Sequence, residues 1–427
     1  MYFVMSEIRI LIPIHVMPST KNVVTIFIQN LTQYMNKISK VHLIWLVYMP
    51  EKTSVDRKQN AEESIIDFHD YKNAYELLKK EKPDLIYASP DWSFIDYALS
   101  SAAKFCQIPV FFMIPNVDRN FFHRKSLKSM ILNSKRFFET SIPTDIDSNQ
   151  KQLFRRGRFF LKKYIFLLKT QLILKNDLLL TLFGIWKYVM TGTTDARFAQ
   201  NTIQFLENEY TKDYMIQRGF KDSNLIISGN PIYDLFFKTY SYKQSNSKTT
   251  RVLFSPSTAY EHGFWTKEQR DFTTKQIVKQ ISDSNLELLI KIHPSSSILS
   301  DYSDTVNEIN KKIPIFQKGS IDEYLNNIDV VITSPFSSSA ETYAILAHKR
   351  IVICDFFETN YEDQLVTLGL AKSCKNPSKL KDSIDDALQS KSYEEKRDEF
   401  IKNFLFKWDG NSSQRIVEKL VKILQKN

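Results

Sequence analysis

Residues 332–356 (ITSPFSSSAETYAILAHKRIVICDF) constrain the fold more strongly than any other stretch of the chain. A short apolar strand runs into a Ser-rich turn, a helix begins at about Ser339, and a second apolar strand follows at 351–354. This order predicts a parallel βαβ unit. The turn of such a unit lies at the carboxyl edge of its sheet, where ligands bind, and the helix N-terminus offers unpaired N–H groups to a phosphate.

The segment Ser338-x-x-Glu341 allows two interpretations. It matches a capping box, in which the two side chains only close the first turn of a helix. It also places hydroxyl groups beside a helix N-terminus, as a phosphate site requires. The motif by itself favours the cap, and the other strand ends in the carboxyl-terminal half favour the phosphate site.

The composition is that of a large globular protein with two domains: 427 residues, of which 43% are hydrophobic and 25% charged. The three cysteines, Cys106, Cys354 and Cys374, are too widely spaced for a disulfide framework or a zinc site, which is typical of the cytoplasm. We see neither a secretory signal at the amino terminus nor an apolar run long enough for a transmembrane helix. We therefore expect a cytoplasmic protein.

The net charge of +10 is concentrated in one segment. Residues 119–170 contain 13 Lys and Arg against 3 Asp and Glu, and the rest of the chain has 45 of each sign. A charge this local argues against a general nucleic-acid surface, and the segment has no recognisable recognition module. We therefore expect no nucleic acid partner.

The basic segment contains an amphipathic helix at about 155–172, within an insert that we place at about 119–190. Its basic side carries Arg155, Arg158, Lys162 and Lys169, and its apolar side carries Phe160, Leu161, Tyr164, Leu167, Leu168 and Leu172. One interpretation is a helix that lies on an anionic membrane surface. The other is a helix that covers the core and keeps its charged side in water. The sequence leaves both open.

Strands and helices alternate along the chain, which predicts two doubly wound parallel sheets of the α/β class. We place the first domain at 1–240, a polar linker at 241–250 and the second domain at 251–427, with the last helix packing back on the first domain. Residues 60–80 are predicted to be mostly helical. No Gly-rich loop follows the first strand, so we expect neither a common dinucleotide module nor a cofactor.

Polar residues follow three predicted strands of the second domain, and these strand ends converge on one edge of a parallel sheet. They are Ser255 and Ser257, then Lys291 and His293, and then Ser337, Ser338 and Ser339, with Glu341 in the helix. Hydroxyls, an imidazole, an amine and a helix N-terminus suit a nucleoside diphosphate. Donors placed there stabilise the negative charge that grows on a departing diphosphate.

Transfer of a group from such a diphosphate to an acceptor hydroxyl would also need a base to deprotonate that hydroxyl. His15 and Asp91 follow predicted strands of the first domain and are the candidates. An unperturbed imidazole titrates near neutrality, which suits His15 to this role. The alternatives are that Asp91 caps the helix at Phe94 and that His15 only hydrogen-bonds its loop.

Four segments of the second half resemble the nucleotide-binding domain of GT-B glycosyltransferases, especially the capsule and teichoic-acid group that includes the CDP-glycerol glycerophosphotransferases. They are 225–234 (LIISGNPIYD), 252–257 (VLFSPS), 289–294 (LIKIHP) and 334–353. The stretch Pro335-Phe336-Ser337-Ser338 is similar to the Pro-Phe-Thr-Ser signature of polysaccharide-biosynthesis proteins.

This resemblance implies two Rossmann-like domains that face a cleft, and a metal-independent transferase. The second domain would bind a nucleotide-activated sugar or polyol phosphate, and the acceptor would be a lipid-linked or growing surface glycan. By the same resemblance, His293 contacts the diphosphate, Ser337, Ser338 and Ser339 hold phosphate oxygens, and Ser255 and Ser257 line the pocket. We expect such an enzyme on the inner face of the cell membrane.

The chain departs from the family at the acid that grips the ribose or sugar. Counted back from Arg350, which replaces a family proline, Tyr343 takes the position of that acid. Glu341 is two residues earlier, on a different helix face. Whether Glu341 or Tyr343 contacts the donor is therefore open.

Two other functions also remain open. The hydrolysing UDP-N-acetylglucosamine 2-epimerases share the fold, and Trp408-Asp409-Gly410 resembles their carboxyl end. However, Ile114-Pro115-Asn116 stands where they have an acidic, glycine-containing turn. The departure at Tyr343 would also suit a noncatalytic scaffold that keeps the fold to bind a glycan or a protein.

Overall fold

The computed structural model describes residues 7–15, 17–18, 23–49, 52, 62–88, 93–114, 149–176, 178–191, 201–240, 249–261, 265–294, 297–335, 339–359 and 364–425. The chain forms two compact units. The first unit comprises Met1–Lys238 and Asn403–Asn427, and the second comprises Thr239–Lys402. Both units are α/β, and each is built on one sheet.

The sheet of the first unit has seven strands in the order β3-β2-β1-β4-β5-β6-β7, and all neighbouring strands are parallel. The strands are β1 (Glu7–Ile14), β2 (Lys40–Val47), β3 (Glu63–Asp67), β4 (Leu85–Tyr87), β5 (Val110–Ile114), β6 (Thr202–Leu206) and β7 (Leu225–Ile227). Alternate residues of a strand point to opposite faces, and both faces of this sheet are covered, which explains why β1 and β2 are apolar almost throughout.

Helices cover both faces of this sheet. On one face lie α2 (Ala74–Glu81), α3 (Phe94–Cys106) and α4 (Asn149–Ile173), and on the other lies α1 (Val23–Met35). The unit also contains α5 (Leu178–Thr191) and α6 (Glu209–Gln217), and the boundary between the units falls within α7 (Asp234–Thr239).

One difference from the sequence prediction lies at residues 60–80. From residue 62 onward, where this stretch is described, the structure has strand β3, a short 3₁₀ helix at Phe68–Asp70 and the start of the short helix α2. Asn73 is the N-cap of α2, because its side chain accepts a hydrogen bond from the backbone N–H of Glu76. Strand β3 was included in the predicted helical stretch because a five-residue strand is too short to show its own period clearly.

Helix α4 runs through the predicted basic insert, and its side chains are described from Phe159 onward. Phe159, Phe166, Leu167 and Leu174 are buried in the core that α2 and α3 also form. The helix therefore docks on the first unit, as one of the two sequence interpretations expected. Arg155 and Arg158 lie outside the residues whose side chains are described.

The last helix, α14 (Ser412–Leu424), belongs to the first unit and packs beside α1. Ile416, Val417 and Leu420 are buried against the sheet. This burial adds apolar contacts from the carboxyl terminus to a core that is otherwise made by the first half of the chain.

The segment 225–234 anchors the start of α14. The carboxylate of Asp234 accepts hydrogen bonds from the backbone N–H groups of Ser412, at 3.1 Å, and Ser413, at 2.6 Å. Gly229 has φ +77, and a Cβ there would lie 2.7 Å from Ser412 Oγ. The glycine and the aspartate of this segment therefore serve packing and helix capping.

The sheet of the second unit has six strands in the order β10-β9-β8-β11-β12-β13, again all parallel. The strands are β8 (Arg251–Ser255), β9 (Glu287–Lys291), β10 (Ile315–Phe316), β11 (Val330–Thr333), β12 (Arg350–Cys354) and β13 (Ala371–Cys374). The helices are α8 (Lys267–Ser282), α9 (Leu299–Asn307), α10 (Ser339–Leu346), α11 (Gln364–Thr367), α12 (Leu380–Leu388) and α13 (Tyr393–Phe404), the last of which crosses the unit boundary.

Among the described helices, none is both long and apolar enough to cross a membrane.

Candidate active site

The switch point of the second sheet lies between β8 and β11. From β8 the chain proceeds to β9 on one side, and from β11 it proceeds to β12 on the other. In open parallel sheets the ligand crevice lies beyond the carboxyl ends of two such strands. Ser255 and Thr333 are paired in register at these ends, so the predicted Ser255 stands at the switch point.

Ser257 and Ser334 connect the two loops that leave this switch point. Ser334 Oγ accepts a hydrogen bond from the backbone N–H of Ser257 at 3.0 Å and donates one to Ser257 Oγ at 2.9 Å. Both residues are buried. The Ser334 hydroxyl therefore donates its proton within the protein, whereas the O–H of Ser257 donates to no acceptor among the residues that the structure describes. Sequence analysis had named Ser257 as a residue of the pocket, and it had placed Ser334 at a polar strand end without assigning it a role.

Glu341 is buried in the first turn of α10, with 4% of its surface exposed. Its Oε1 accepts a hydrogen bond of 2.7 Å from Thr333 Oγ1 at the end of β11. Tyr343 is half-buried, and desolvation, with a smaller contribution from Asp322, raises the pKa of its phenol. The contact with Thr333 ties helix α10 to the strand before it, and it occupies one oxygen of the predicted ligand Glu341.

Lys291 and His293 lie at the end of β9, but only the histidine is exposed. The Lys291 ammonium donates to the carbonyl oxygens of Ile292, at 2.8 Å, and Gln317, at 3.0 Å. Desolvation lowers the pKa of Lys291, and the charge of Glu323 opposes part of that shift. Two of the three donors of this amine therefore stabilise the loops after β9 and β10, and the third has no partner among the described residues.

Helix α10 begins at Ser339, directly beyond the end of β11. Its first N–H groups carry the positive end of the helix dipole at the carboxyl edge of the sheet. Ser337 and Ser338 lie outside the described residues, as does the side chain of Ser339. Their predicted contacts with phosphate therefore stay predictions.

Arg350, the residue in place of the family proline, is engaged elsewhere in the second unit. Its guanidinium lies 3.8 Å from the ring centroid of Tyr393 and 3.1 Å from a carboxylate oxygen of Glu394. It begins β12, so it stands at the amino edge of the sheet. We infer that this substitution stabilises the packing of α13 and is not part of the ligand edge.

The first sheet has its own switch point, between β1 and β4. His15 directly follows β1 and is exposed, and its ring centroid lies 6.2 Å from that of Tyr48. Partial desolvation, and secondly the charge of Lys163, lower the pKa of the imidazole. An imidazole with a lowered pKa is neutral near pH 7 and can accept a proton. Asp91 lies outside the described residues.

Two residues that sequence analysis missed lie near this edge. Asp96 is in the first turn of α3, the helix that follows β4, and is buried. Lys163 comes from α4. Burial raises the pKa of Asp96 to about 8 and lowers the pKa of Lys163 to about 8, and the opposite charge of each partner reduces the shift of the other. The sequence signal that could have identified Asp96 is an acidic residue in the otherwise apolar start of α3.

The family comparison covers the whole second unit and the end of the first. Residues 197–422 match the model of a family described as CDP-Glycerol:Poly(glycerophosphate) glycerophosphotransferase. The match therefore includes every second-unit residue discussed above. No curated protein matches the chain in sequence.

Solved structures similar to the chain share its fold along almost the full length. The structure of S. aureus MnaA with UDP is 13% identical, with 98% of this chain and 97% of that chain covered and a TM-score of 0.56. The UDP-GlcNAc 2-epimerase from Neisseria meningitidis bound to UDP-GlcNAc is 13% identical, with 97% and 100% covered and a TM-score of 0.51. The spinosyn forosaminyltransferase SpnP is 11% identical, with 98% and 99% covered and a TM-score of 0.51. At these identities the likeness establishes the two-domain α/β fold of the GT-B class.

Proposed function

The chain belongs to the CDP-glycerol:poly(glycerophosphate) glycerophosphotransferase family, and on this basis we propose that it transfers a polyol phosphate from a CDP-activated donor to a hydroxyl of a surface-polysaccharide acceptor. The observation that carries the proposal is the family match over 197–422, which contains the donor-side switch point. The second unit binds the donor, and the first unit binds a glycan or lipid-linked acceptor.

The chemistry of such a transfer defines what the residues must do. The acceptor oxygen attacks the phosphorus that carries the polyol, the bond to the bridging oxygen of the diphosphate breaks, and CMP leaves. One proton passes from the acceptor hydroxyl to a base. Negative charge grows on the bridging oxygen of CMP, so donors around the diphosphate lower the barrier.

In this proposal, the exposed His293, the free O–H of Ser257 and the N-terminus of α10 donate to the diphosphate, together with Ser337, Ser338 and Ser339. Ser255 and Lys291 position the loops around it. On the acceptor side, His15 takes the proton and Asp91 assists. No metal takes part, so we expect chelation by EDTA to leave turnover unchanged.

A thermal-shift panel tests the donor site. CMP, CDP, UMP, UDP, GDP and ADP are compared on the wild type, on His293→Ala and on His348→Gln. A ligand that binds only the folded state raises the melting temperature. We expect cytidine nucleotides to stabilise the wild type and to stabilise His293→Ala less. His348 lies before β12, at the opposite edge of the same sheet, so His348→Gln should behave as the wild type does.

A turnover assay then separates the candidate reactions. Release of CMP from CDP-glycerol in the presence of acceptor supports polyol-phosphate transfer. Release of a nucleoside diphosphate from a nucleotide sugar would instead establish glycosyl transfer. Epimerised product from UDP-N-acetylglucosamine alone would establish an epimerase, and no binding or turnover with any donor would favour a scaffold.

We also propose that the enzyme meets its acceptor on an anionic membrane surface. Helices α4 and α5 together carry a concentration of exposed large apolar side chains, although α4 is docked on the core. They are Leu161, Ile165, Leu172 and Ile173 on α4 and Leu179, Leu182, Phe183 and Trp186 on α5. Residues 149–176 contain eight Lys and Arg and no Asp or Glu. Apolar side chains flanked by basic ones favour an interface with anionic lipid.

Vesicle sedimentation tests this surface. Leu172→Gln combined with Trp186→Gln should release the protein from vesicles of phosphatidylglycerol and phosphatidylcholine, with CDP binding unchanged. Ile216→Gln, which removes an exposed apolar side chain from α6 of the same unit, should remain bound. Equal sedimentation of all three proteins would remove this part of the proposal.

A further inference from the structure

Glu261 lies in the loop between β8 and α8, and β8 is one of the two switch-point strands of the second sheet. A hydrogen bond of 3.1 Å from the backbone N–H of Trp265 to the carbonyl oxygen of Ala259 closes this part of the loop. Ligands of doubly wound sheets bind among the loops at such a switch point. Glu261 therefore belongs to the edge of the sheet where we place the donor.

One carboxylate oxygen of Glu261 holds the neighbouring loop. Its Oε1 accepts a hydrogen bond of 2.5 Å from Ser297 Oγ, in the loop between β9 and α9 that also carries His293. The phenol of Tyr302, on α9, donates to the same oxygen at 3.5 Å. The carbonyl oxygen of Ser297 accepts a hydrogen bond of 2.7 Å from Gln317 Nε2, just after β10. These contacts connect the loops that follow three neighbouring strands.

The second carboxylate oxygen of Glu261 has no such contact. Oε2 is shielded from solvent and accepts no hydrogen bond from the residues that the structure describes. The buried cation Arg270, which lies over the ring of Tyr302, forms ion pairs of 2.8 Å with Asp271 and 2.5 Å with Asp301. Buried polar oxygens are nearly always hydrogen-bonded, because an unpaired one is costly. A ligand that supplies a donor would remove this cost.

The chemistry of a carboxylate limits which part of the donor can bind Oε2. An ionised carboxylate only accepts hydrogen bonds, and it repels a phosphate, so its partner is an O–H or N–H group. Glu261 comes four residues after Ser257, and Ser297 comes four residues after His293. The contact between Glu261 and Ser297 therefore lies beside the groups that we assign to the diphosphate. In a CDP-activated polyol, the ribose and the polyol flank the diphosphate, and both carry hydroxyl groups.

We propose that Glu261 determines the specificity of the donor site: its Oε2 accepts a hydrogen bond from a hydroxyl group of the ribose or the polyol next to the diphosphate. The inference rests on the proposed function, in which Ser257 and His293 donate to that diphosphate. It gives the donor site an acid from a different loop, although Tyr343 stands in the acidic position of the family. Glu341 already uses one oxygen within the protein.

Isothermal titration calorimetry with matched ligands tests the inference. CMP is compared with 2′-deoxy-CMP and 3′-deoxy-CMP, and CDP-glycerol with CDP-propanol, which lacks the polyol hydroxyls. We expect the wild type to bind the ligand with the recognised hydroxyl about tenfold more tightly, the order for a hydrogen bond to a charged group. In Glu261→Gln this ratio should fall to near one. The amide oxygen can still accept from Ser297, whereas the amide nitrogen cannot accept from a hydroxyl.

Two control variants separate hydroxyl recognition from the anchoring of the loop. Glu268→Gln removes an exposed carboxylate from the first turn of α8, so it should keep the wild-type ratios. Ser297→Ala releases Oε1 and leaves Oε2 in place, so it should weaken the binding of all ligands alike and retain the ratios. Glu261→Asp, in which a shorter side chain withdraws both oxygens, repeats the test should the Gln variant not fold.

The outcomes distinguish this inference from the proposed function. Cytidine nucleotides that bind the wild type, with the same hydroxyl ratios in folded Glu261→Gln, would overturn the inference alone. So would wild-type ratios near one for every pair, or a change confined to the preference for CMP over UMP, which would place Glu261 at the base. A wild type that binds no cytidine ligand would refute the proposed donor site itself. A loss confined to the CMP pairs assigns Oε2 to the ribose, and one confined to the CDP-glycerol pair assigns it to the polyol.

Discussion

Buried polar side chains position the loops at the carboxyl edge of the sheet in the second unit. In the second unit the Ser257–Ser334 and Thr333–Glu341 contacts connect the ends of β8, β11 and α10. These contacts use hydrogen-bonding groups that would be costly to bury unpaired. The serines at these strand ends therefore have two roles: Ser334 holds the loops, whereas Ser257 still offers a donor.

Replacement of Ser334 tests this division. Ser334→Ala leaves the backbone N–H of Ser257 without its acceptor, so we expect a loss of about 1–3 kcal/mol in the free energy of unfolding. The nucleotide-induced thermal shift should also fall, because the loop that carries the Ser257 hydroxyl is no longer fixed. Ser300→Ala, at an exposed position of α9, is the control. An unchanged stability and an unchanged nucleotide shift would contradict the role assigned to Ser334.

The buried carboxyl of Asp96 has a testable effect on stability. Its pKa is about 8 in the folded protein against 3.8 without burial, so between these values the folded state keeps a proton that the unfolded state has lost. The free energy of unfolding therefore falls as the pH rises through this window, by up to about 1.4 kcal/mol per pH unit. We expect Asp96→Asn to be more stable than the wild type near pH 7, by a margin that shrinks towards acid.

The measurement is urea denaturation across that pH window, with Asp213→Asn, an exposed change on α6, as the reference. The asparagine also removes the acid partner of Lys163, which reduces the gain without reversing its pH dependence. A difference between Asp96→Asn and the wild type that stays constant with pH would show that Asp96 titrates as an ordinary carboxyl.

At the scale of secondary-structure elements, helix α4 combines two kinds of surface. Leu167 is fully buried in the core with α2 and α3, while Leu161 is 52% exposed. Both positions had been assigned to one apolar side of the helix, because hydrophobic periodicity does not tell a core from a lipid surface. Only the packing of α3 against α4 separates them.

Matched substitutions measure this separation. Leu167→Ala should destabilise the first unit by about 2–5 kcal/mol, because it removes buried methyl groups and leaves a cavity. Leu161→Ala should change the free energy of unfolding by less than about 0.5 kcal/mol, as exposed positions do. Intrinsic fluorescence during denaturation gives both values. Similar losses for the two variants would mean that α4 does not dock as described.

At the scale of the whole molecule, the first unit is assembled from both ends of the chain. Residues 403–427 return to it after the second unit is complete, and Ile416, Val417 and Leu420 enter its core. The second unit, 239–402, has its own sheet and its own core. The two units should therefore respond differently to loss of the carboxyl terminus.

Truncation of residues 411–427 tests that expectation. It removes three buried aliphatic side chains, and the burial of each contributes about 1.5–3 kcal/mol to the free energy of unfolding. Together these contributions are comparable to the free energy of unfolding of a whole domain. We expect limited proteolysis to degrade the first unit rapidly, while the second unit persists and keeps its response to nucleotides. Glu418→Ala, exposed on the same helix, should leave the digestion pattern unchanged. Equal protection of the first unit in the truncated protein would argue against this assembly.

Sequence alone determined the features that depend on the order of neighbouring residues along the chain. Apolar strands in alternation with helices predicted two α/β domains, and the resemblance of the segments around 252–257, 289–294 and 334–353 pointed to the GT-B class and to the family. Both conclusions hold because the burial of a strand and the chemistry of the loop after it depend on consecutive residues of the sequence. The polar strand ends of the second domain, from Ser255 to His293, were found for the same reason.

Tertiary structure decided what depends on residues far apart in the chain. Phe94 and Phe160 are separated by a long stretch of sequence, and only the docking of α4 on α3 brings their ring centroids to 5.5 Å. Strand β3 is defined by its pairing with β2, and the start of α14 by its hydrogen bonds to Asp234. Burial and pairing across such distances arise from packing, and packing leaves no local pattern in the sequence.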